Sequence, residues 1–167
     1  AFYALDGNTF DSSRNGYNGT NMGATLARGF RNKPNTAFEF TGTNVIQVIT
    51  PLPTSGFPEI SVCSWFALNS TITVDQRFLL GNTNWGNNQP DDPYALTIEP
   101  LGAGLKLKIH HTYVDGLIIR YLQRSYSTTI VRDQWKHFCL VSDGVARYYM
   151  YEDGNRVASG GVSGPSL

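Results

Sequence analysis

Nowhere along its 167 residues does this chain hold apolar side chains at i, i+3, i+4, i+7 over about eleven residues free of Gly or Pro. Helices are therefore excluded as its main element. What recurs is a set of short runs rich in Val, Ile, Thr, Tyr and Phe: FYAL, AFEF, NVIQVI, EISVCSWFAL, RFLL, YALTIEP, LKLKIHH, LIIRYLQRSY, WKHFCLVS, ARYYMYE and RVASG. Gly, Asn, Asp and Pro punctuate them, and this spacing predicts about ten short strands in an all-β antiparallel sandwich or jelly roll. In LKLKIHH the apolar residues Leu105, Leu107 and Ile109 alternate with Lys106, Lys108 and His110, the pattern of a strand with one wet face. Asp143-Gly144 and Asp153-Gly154 each stand between strand-like runs, so two type I′ hairpin turns and a three-strand meander are expected near the C-terminal end.

With 41% hydrophobic residues the chain can bury a core, and residues 1–167 fit one domain. Formal charge is zero and no basic run occurs, which argues against nucleic acid or an acidic membrane as partner. No apolar stretch approaches the ~20 residues of a membrane span. The chain opens at Ala1 almost directly on an apolar run, as expected where any signal peptide has been removed.

Cys63 and Cys139 each lie in an apolar strand-like run, as a bridge or as two inert buried thiols. Asn18-Gly19-Thr20 and Asn69-Ser70-Thr71 are glycosylation acceptors at Asn18 and Asn69. Together these features lead us to expect a secreted or cell-surface protein.

Signs of catalysis are poor. His110 and His111 are neighbours on a strand and cannot chelate one ion together. His137 reads as a packed or bridging residue sharing a face with Trp135 and Cys139. No nucleophile elbow, phosphate loop or zinc-protease pattern occurs, and no strand carries the spaced carboxylates of sandwich glucanases. An enzyme is not expected. Asp6, Asn8 and Asp11 offer oxygens to a calcium ion, but Asp11 and Asn15 are better read as folding the turn through side-chain-to-backbone bonds. Tyr149 and Tyr151 share one face, either as a sugar-stacking platform or, the reading preferred here, as the lining of an ordinary sheet.

The segment GNTNWGNNQPDDPY, residues 81–94, packs amides, two adjacent carboxylates, glycines, prolines and Trp85 into a stretch unable to form regular structure. It reads as a binding loop, with Trp85 as a stacking surface and Asn87, Asn88, Asp91 and Asp92 as oxygen donors.

The opening AFYALDGNTFDSSRNGYNGTNMGA…AFEFTGTNVIQV and the segment RDQWKHFCLVSDGVARYYMYEDGNRVASGG resemble laminin-G-like jelly-roll domains. Cys63 in SVCSWF and Cys139 in HFCLVSDG are similar to the cysteines of the pentraxin branch. This resemblance implies a two-sheet antiparallel jelly-roll sandwich of the concanavalin A type and a disulfide between Cys63 and Cys139. It also implies a calcium site at Asp91 and Asp92, the second residue being Asp where that family has Asn. Relatives of this kind continue past the last hairpin, whereas this sequence stops at Leu167. Three readings stand for the family's closing strands: a truncated chain, a cut chain whose other half stays bound, or a polymer in which a neighbour supplies the strand.

Two functions follow as expectations. One is an extracellular recognition module for glycan or another polar ligand, with calcium as cofactor. The alternative is a structural or adhesive subunit, a homo-oligomer or a chain completed by a second one.

Overall fold

The computed structural model describes residues 1–41, 44–49, 59–69, 80–81, 94–101, 104–115, 118–128, 132–143 and 147–161. Strand positions 60, 80–81 and 161, and those between 94 and 128, are described by backbone alone. Among the described residues the chain is built of strands: β1 (Gly19–Met22), β2 (Thr25–Ala27), β3 (Ala37–Glu39), β4 (Val45–Val48), β5 (Glu59–Phe66), β6 (Leu80–Gly81), β7 (Tyr94–Leu101), β8 (Gly104–Asp115), β9 (Ile118–Thr128), β10 (Lys136–Asp143), β11 (Arg147–Glu152) and β12 (Asn155–Gly161). A 3-10 turn at Phe30–Asn32 is the sole helical element among them, and no described helix is long and apolar enough to cross a membrane. The all-β expectation holds, every strand pairing among the described residues being antiparallel. The chain forms two compact units, Ala1–Leu52 and Pro53–Leu167.

In the first unit β1 pairs with β4 and β2 with β3. Asn21 closes the β1–β2 connection: its Oδ1 accepts from Ala24 N and its Nδ2 donates to Ala24 O, both at 2.8 Å, while Asn44 Nδ2 donates to Gly23 O. Gly23, at φ 93, takes the left-handed conformation this turn requires. The opening run FYAL does not form the expected strand. It contributes one isolated bridge, Tyr3 to Asp11, because the Asp11 carboxylate gathers the surrounding backbone into a turn. Asp11 Oδ1 accepts from Phe2 N and Ser13 N, each at 2.9 Å, and Oδ2 from Tyr17 N at 3.2 Å.

In the second unit β6, β7, β8 and β9 form one four-stranded sheet in that order. The other sheet runs β12-β11-β10-β5, so the expected C-terminal meander is present and β5 joins β10 on its far side. The turn between β11 and β12 has Asp153 at φ 48 and Gly154 at φ 83, with Glu152 paired to Asn155. These are the paired positive φ values of a type I′ turn. The matching expectation at Asp143-Gly144 is not met. Ser142 pairs with Tyr148, not Val145, and Asp143 Oδ1 accepts from Arg147 N at 2.9 Å; residues 144–146 lie outside the described residues.

Alternation then sorts the side chains of this sheet. Phe66, Phe138, Leu140, Tyr148 and Met150 are buried on one face. Phe138 and Phe66 stack with ring centroids 4.9 Å apart. Tyr148 lies over its register partner Gly160, where an added Cβ would collide with the tyrosine ring. Gly160→Ala should therefore displace a buried side chain and lower stability by about 1–3 kcal/mol. A urea melt checks this, and an unchanged midpoint would mean that Tyr148 does not occupy that space.

Candidate functional site

The second face of the β12-β11-β10-β5 sheet carries the remaining side chains in rows set by the register. Trp65 stands opposite His137. Cys63 stands opposite Cys139, with Tyr151 and then Arg156 continuing the row. Ser61, Val141, Tyr149 and Ser159 make the next. Neighbouring strands lie about 4.8 Å apart, so Trp65 and Tyr151 are separated by two strand spacings, roughly 10 Å, and one row along the strands. This face is not buried. Trp65 is 49% exposed, Cys63 and Arg156 are exposed, and His137, Cys139, Val141, Tyr149 and Tyr151 are half-buried.

Three features hold the face in shape. The first is the disulfide between Cys63 and Cys139, which closes a sequence separation of 76 between two directly opposed residues with Cα atoms 4.1 Å apart. The second is the contact of Trp65 with His137, centroids 5.1 Å apart and planes tilted by 44°. The third is the β11–β12 turn, which clips onto the backbone of His137. Asp153 N donates to His137 O at 2.8 Å, and His137 N donates to Asp153 Oδ1 at 3.0 Å. Lys136 Nζ completes the corner at 2.8 Å from Asp153 Oδ2 and 3.1 Å from Glu152 Oε1.

The bond from His137 N and the Lys136 ammonium lower the Asp153 pKa. Bonds to Asp153 and Glu152 raise that of Lys136. Asp153 therefore adds stability above its unfolded pKa, near 3.9, which is lost as pH falls through the lower folded value. Lys136 adds stability below about pH 10.4, lost as pH rises through its raised folded value. Both groups are near the surface, so these contributions are small.

The sequence-derived candidates divide as follows. Cys63 and Cys139 are brought together and bonded. His137 lies beside the bridge, its Nε2 3.9 Å from Cys139 Sγ, but its cross-strand aromatic partner is Trp65, whose role the sequence reading did not identify. Trp85, Asn87, Asn88, Asp91 and Asp92 lie outside the described residues, as does the loop that holds them. Asn18 and Asn69 are both exposed, with Asn18 Oδ1 accepting from Asp11 N at 3.0 Å. His110 and His111 are neighbours in β8.

The N-terminal turn follows the side-chain-to-backbone reading at Asp11 but not at Asn15, whose Nδ2 donates to the Ser13 side-chain Oγ at 2.9 Å. Asp11 serves backbone N–H groups with both oxygens, and Asn8 Oδ1 accepts from Phe10 N at 2.9 Å. The side-chain bond with Ser13 and then the bond from Phe2 N hold the Asp11 carboxyl well below the usual carboxylate range. A carboxylate so stabilised keeps the turn folded above its unfolded pKa and releases it only as pH falls through its depressed folded value. Accordingly, the Ser13 and Tyr17 amide proton resonances should hold position down to about pH 4 and move only in stronger acid. Asp11→Ala should shift both at neutral pH. If they titrate as beside an ordinary aspartate, Asp11 is not the hub of this turn.

No family model matches this chain, and no curated protein and no solved structure matches it. The face itself offers a half-exposed indole, an imidazole and two tyrosines on one sheet, bordered by Arg156. Flat apolar rings with hydrogen-bonding tips suit ligands that offer both a non-polar face and hydroxyl groups.

Proposed function

We propose that this protein is a secreted recognition module that binds glycans on the outer face of the β12-β11-β10-β5 sheet. The observation that carries this reading is Trp65, a large indole 49% exposed at a position fixed by His137 and by the neighbouring disulfide. A sugar ring presents axial C–H groups to an aromatic face and hydroxyls to the surrounding polar groups. Tyr149, Tyr151, Ser159 and Arg156 supply such groups in adjacent rows of the sheet. Mounting them on strands fixes their backbone, which limits the ordering cost of binding. The fold we assign to the module is the two-sheet jelly-roll sandwich of laminin-G-like proteins. Its disulfide and exposed acceptors Asn18 and Asn69 support secretion. Calcium at Asp91 and Asp92, with Trp85, Asn87 and Asn88 beside it, is a further part of the proposal and rests on the sequence of residues 81–94.

A glycan array probed with and without a chelator tests both parts. Trp65→Ala should weaken binding to any glycan so identified at least tenfold, about 1.4 kcal/mol, with little change in stability because the indole is half in water. Binding that survives Trp65→Ala but is lost with chelator would move the site to residues 81–94. Silence of the array under both conditions would overturn the recognition reading.

A second reading rests on the strand order. β12 is the outermost strand of its sheet among the described residues. A strand from another copy added there would make a structural or adhesive subunit. Sizing of the native protein decides this, a monomer counting against it.

A further inference from the structure

We propose that reducing the Cys63–Cys139 bridge turns this corner of the sheet into a site for a zinc-like divalent metal, held by both thiolates and His137 Nε2. The three donor atoms already lie within 4.8 Å of one another. Tetrahedral coordination with sulfur about 2.3 Å and imidazole nitrogen about 2.0–2.1 Å from zinc places donors roughly 3.5–3.8 Å apart. His137 Nε2 is 3.9 Å from Cys139 Sγ, close to that spacing before any movement. The two sulfurs reach theirs by side-chain rotation once they are no longer bonded, because Cys63 and Cys139 are directly opposed and their side chains leave the same face.

The imidazole is positioned independently of the cysteines. Both backbone bonds of His137 to Asp153 fix its strand segment. Two sulfurs and one nitrogen are the donors that zinc prefers over calcium or magnesium, and three protein ligands leave a fourth position for water. The site adjoins the proposed glycan contact Trp65, which packs beside His137, but its donor set does not depend on that proposal.

The chemistry balances with a dithiol reductant. Its thiolate attacks the sulfur of Cys63, the exposed member of the pair, and Cys139 leaves as thiolate. The second thiol of the reductant then displaces Cys63 from the mixed disulfide. The reductant ends as a disulfide, having supplied two electrons and two protons. Metal binding expels the two thiol protons, so affinity rises with pH. Bridge and metal are thus alternative clasps between β5 and β10, selected by redox state.

The test uses the full chain reduced with a non-chelating phosphine and titrated with cobalt(II), strand content being followed by circular dichroism. One cobalt per chain with the ligand-field bands of tetrahedral thiolate coordination, displaced by zinc and absent from the oxidised protein, is expected. His137→Gln, which keeps both thiols, should weaken cobalt binding at least tenfold and shift those bands. Zinc should raise the melting temperature of reduced wild-type protein and leave that of reduced His137→Gln little changed. Equal binding by oxidised and reduced protein would overturn the proposal. So would identical binding by His137→Gln, no binding at all, or metal uptake without strand structure.

Discussion

Replacing Cys63 and Cys139 together by serine should lower the unfolding free energy by about 4 kcal/mol. The value follows from loop closure: the bridge joins residues 76 apart, and a cross-link of that span removes conformational freedom mainly from the unfolded chain. Against the 5–15 kcal/mol typical of whole domains, roughly, this is a large share. It bears on function as well as stability. The bridge lies one register step from the Trp65–His137 pair, so its loss frees the strand segment that presents the indole. Chemical reduction of the wild-type protein should produce the same displacement of the urea midpoint as the double substitution. A loss below about 1 kcal/mol would mean that the β5–β10 pairing holds without the bridge, and would remove its role as the clasp of the face.

Phe138→Ala is expected to cost about 3–5 kcal/mol, the range for emptying a buried aromatic site. Phe138 is 2% exposed and stacks on Phe66, its diagonal neighbour across β5 and β10. Truncation removes that contact and leaves a cavity lined by side chains fixed to a sheet, which cannot collapse to fill it. The contrast with Trp65 makes this result informative. Trp65 belongs to the same pair of strands at an odd-numbered position, and its truncation should cost far less because half of the indole is already in water. Urea denaturation of the two variants side by side measures the difference between the faces. Comparable losses would contradict the assignment of one face to the core and the other to ligand.

These two faces also show what was legible in the sequence. The positions of most strands were, because β-branched and aromatic runs bounded by Gly, Asn and Asp leave few alternatives. Asp153-Gly154 was readable for a local reason: both residues tolerate positive φ, and nothing outside the turn is needed to form it. Asp143-Gly144 carries the same dipeptide, yet the pairing of Ser142 with Tyr148 overrides it. There the register set by the strands prevails over local turn preference. FYAL looked like a strand by composition, but three backbone N–H bonds to Asp11 fix that region as a turn.

The outer face was only half legible. Alternation assigns Tyr149 and Tyr151 to one side of β11, but it cannot say which residues of another strand lie beside them. Trp65 and His137 became partners only through the β5–β10 register. That signal was present in the cysteines. Once they are taken as directly opposed on antiparallel strands, moving two residues outward from each brings Trp65 opposite His137. The loop between β6 and β7 is the converse case, rich in candidate ligands by composition, with residues 82–93 outside the described residues.

Titrating isotope-labelled protein with a glycan selected on the array, and following backbone amide and indole N–H resonances, probes the recognition face most directly. The expected outcome is a set of shifts centred on the Trp65 indole and the amides of His137, Cys139 and Tyr151. Shifts confined to residues 81–94, or none at saturating glycan, would contradict binding on this sheet.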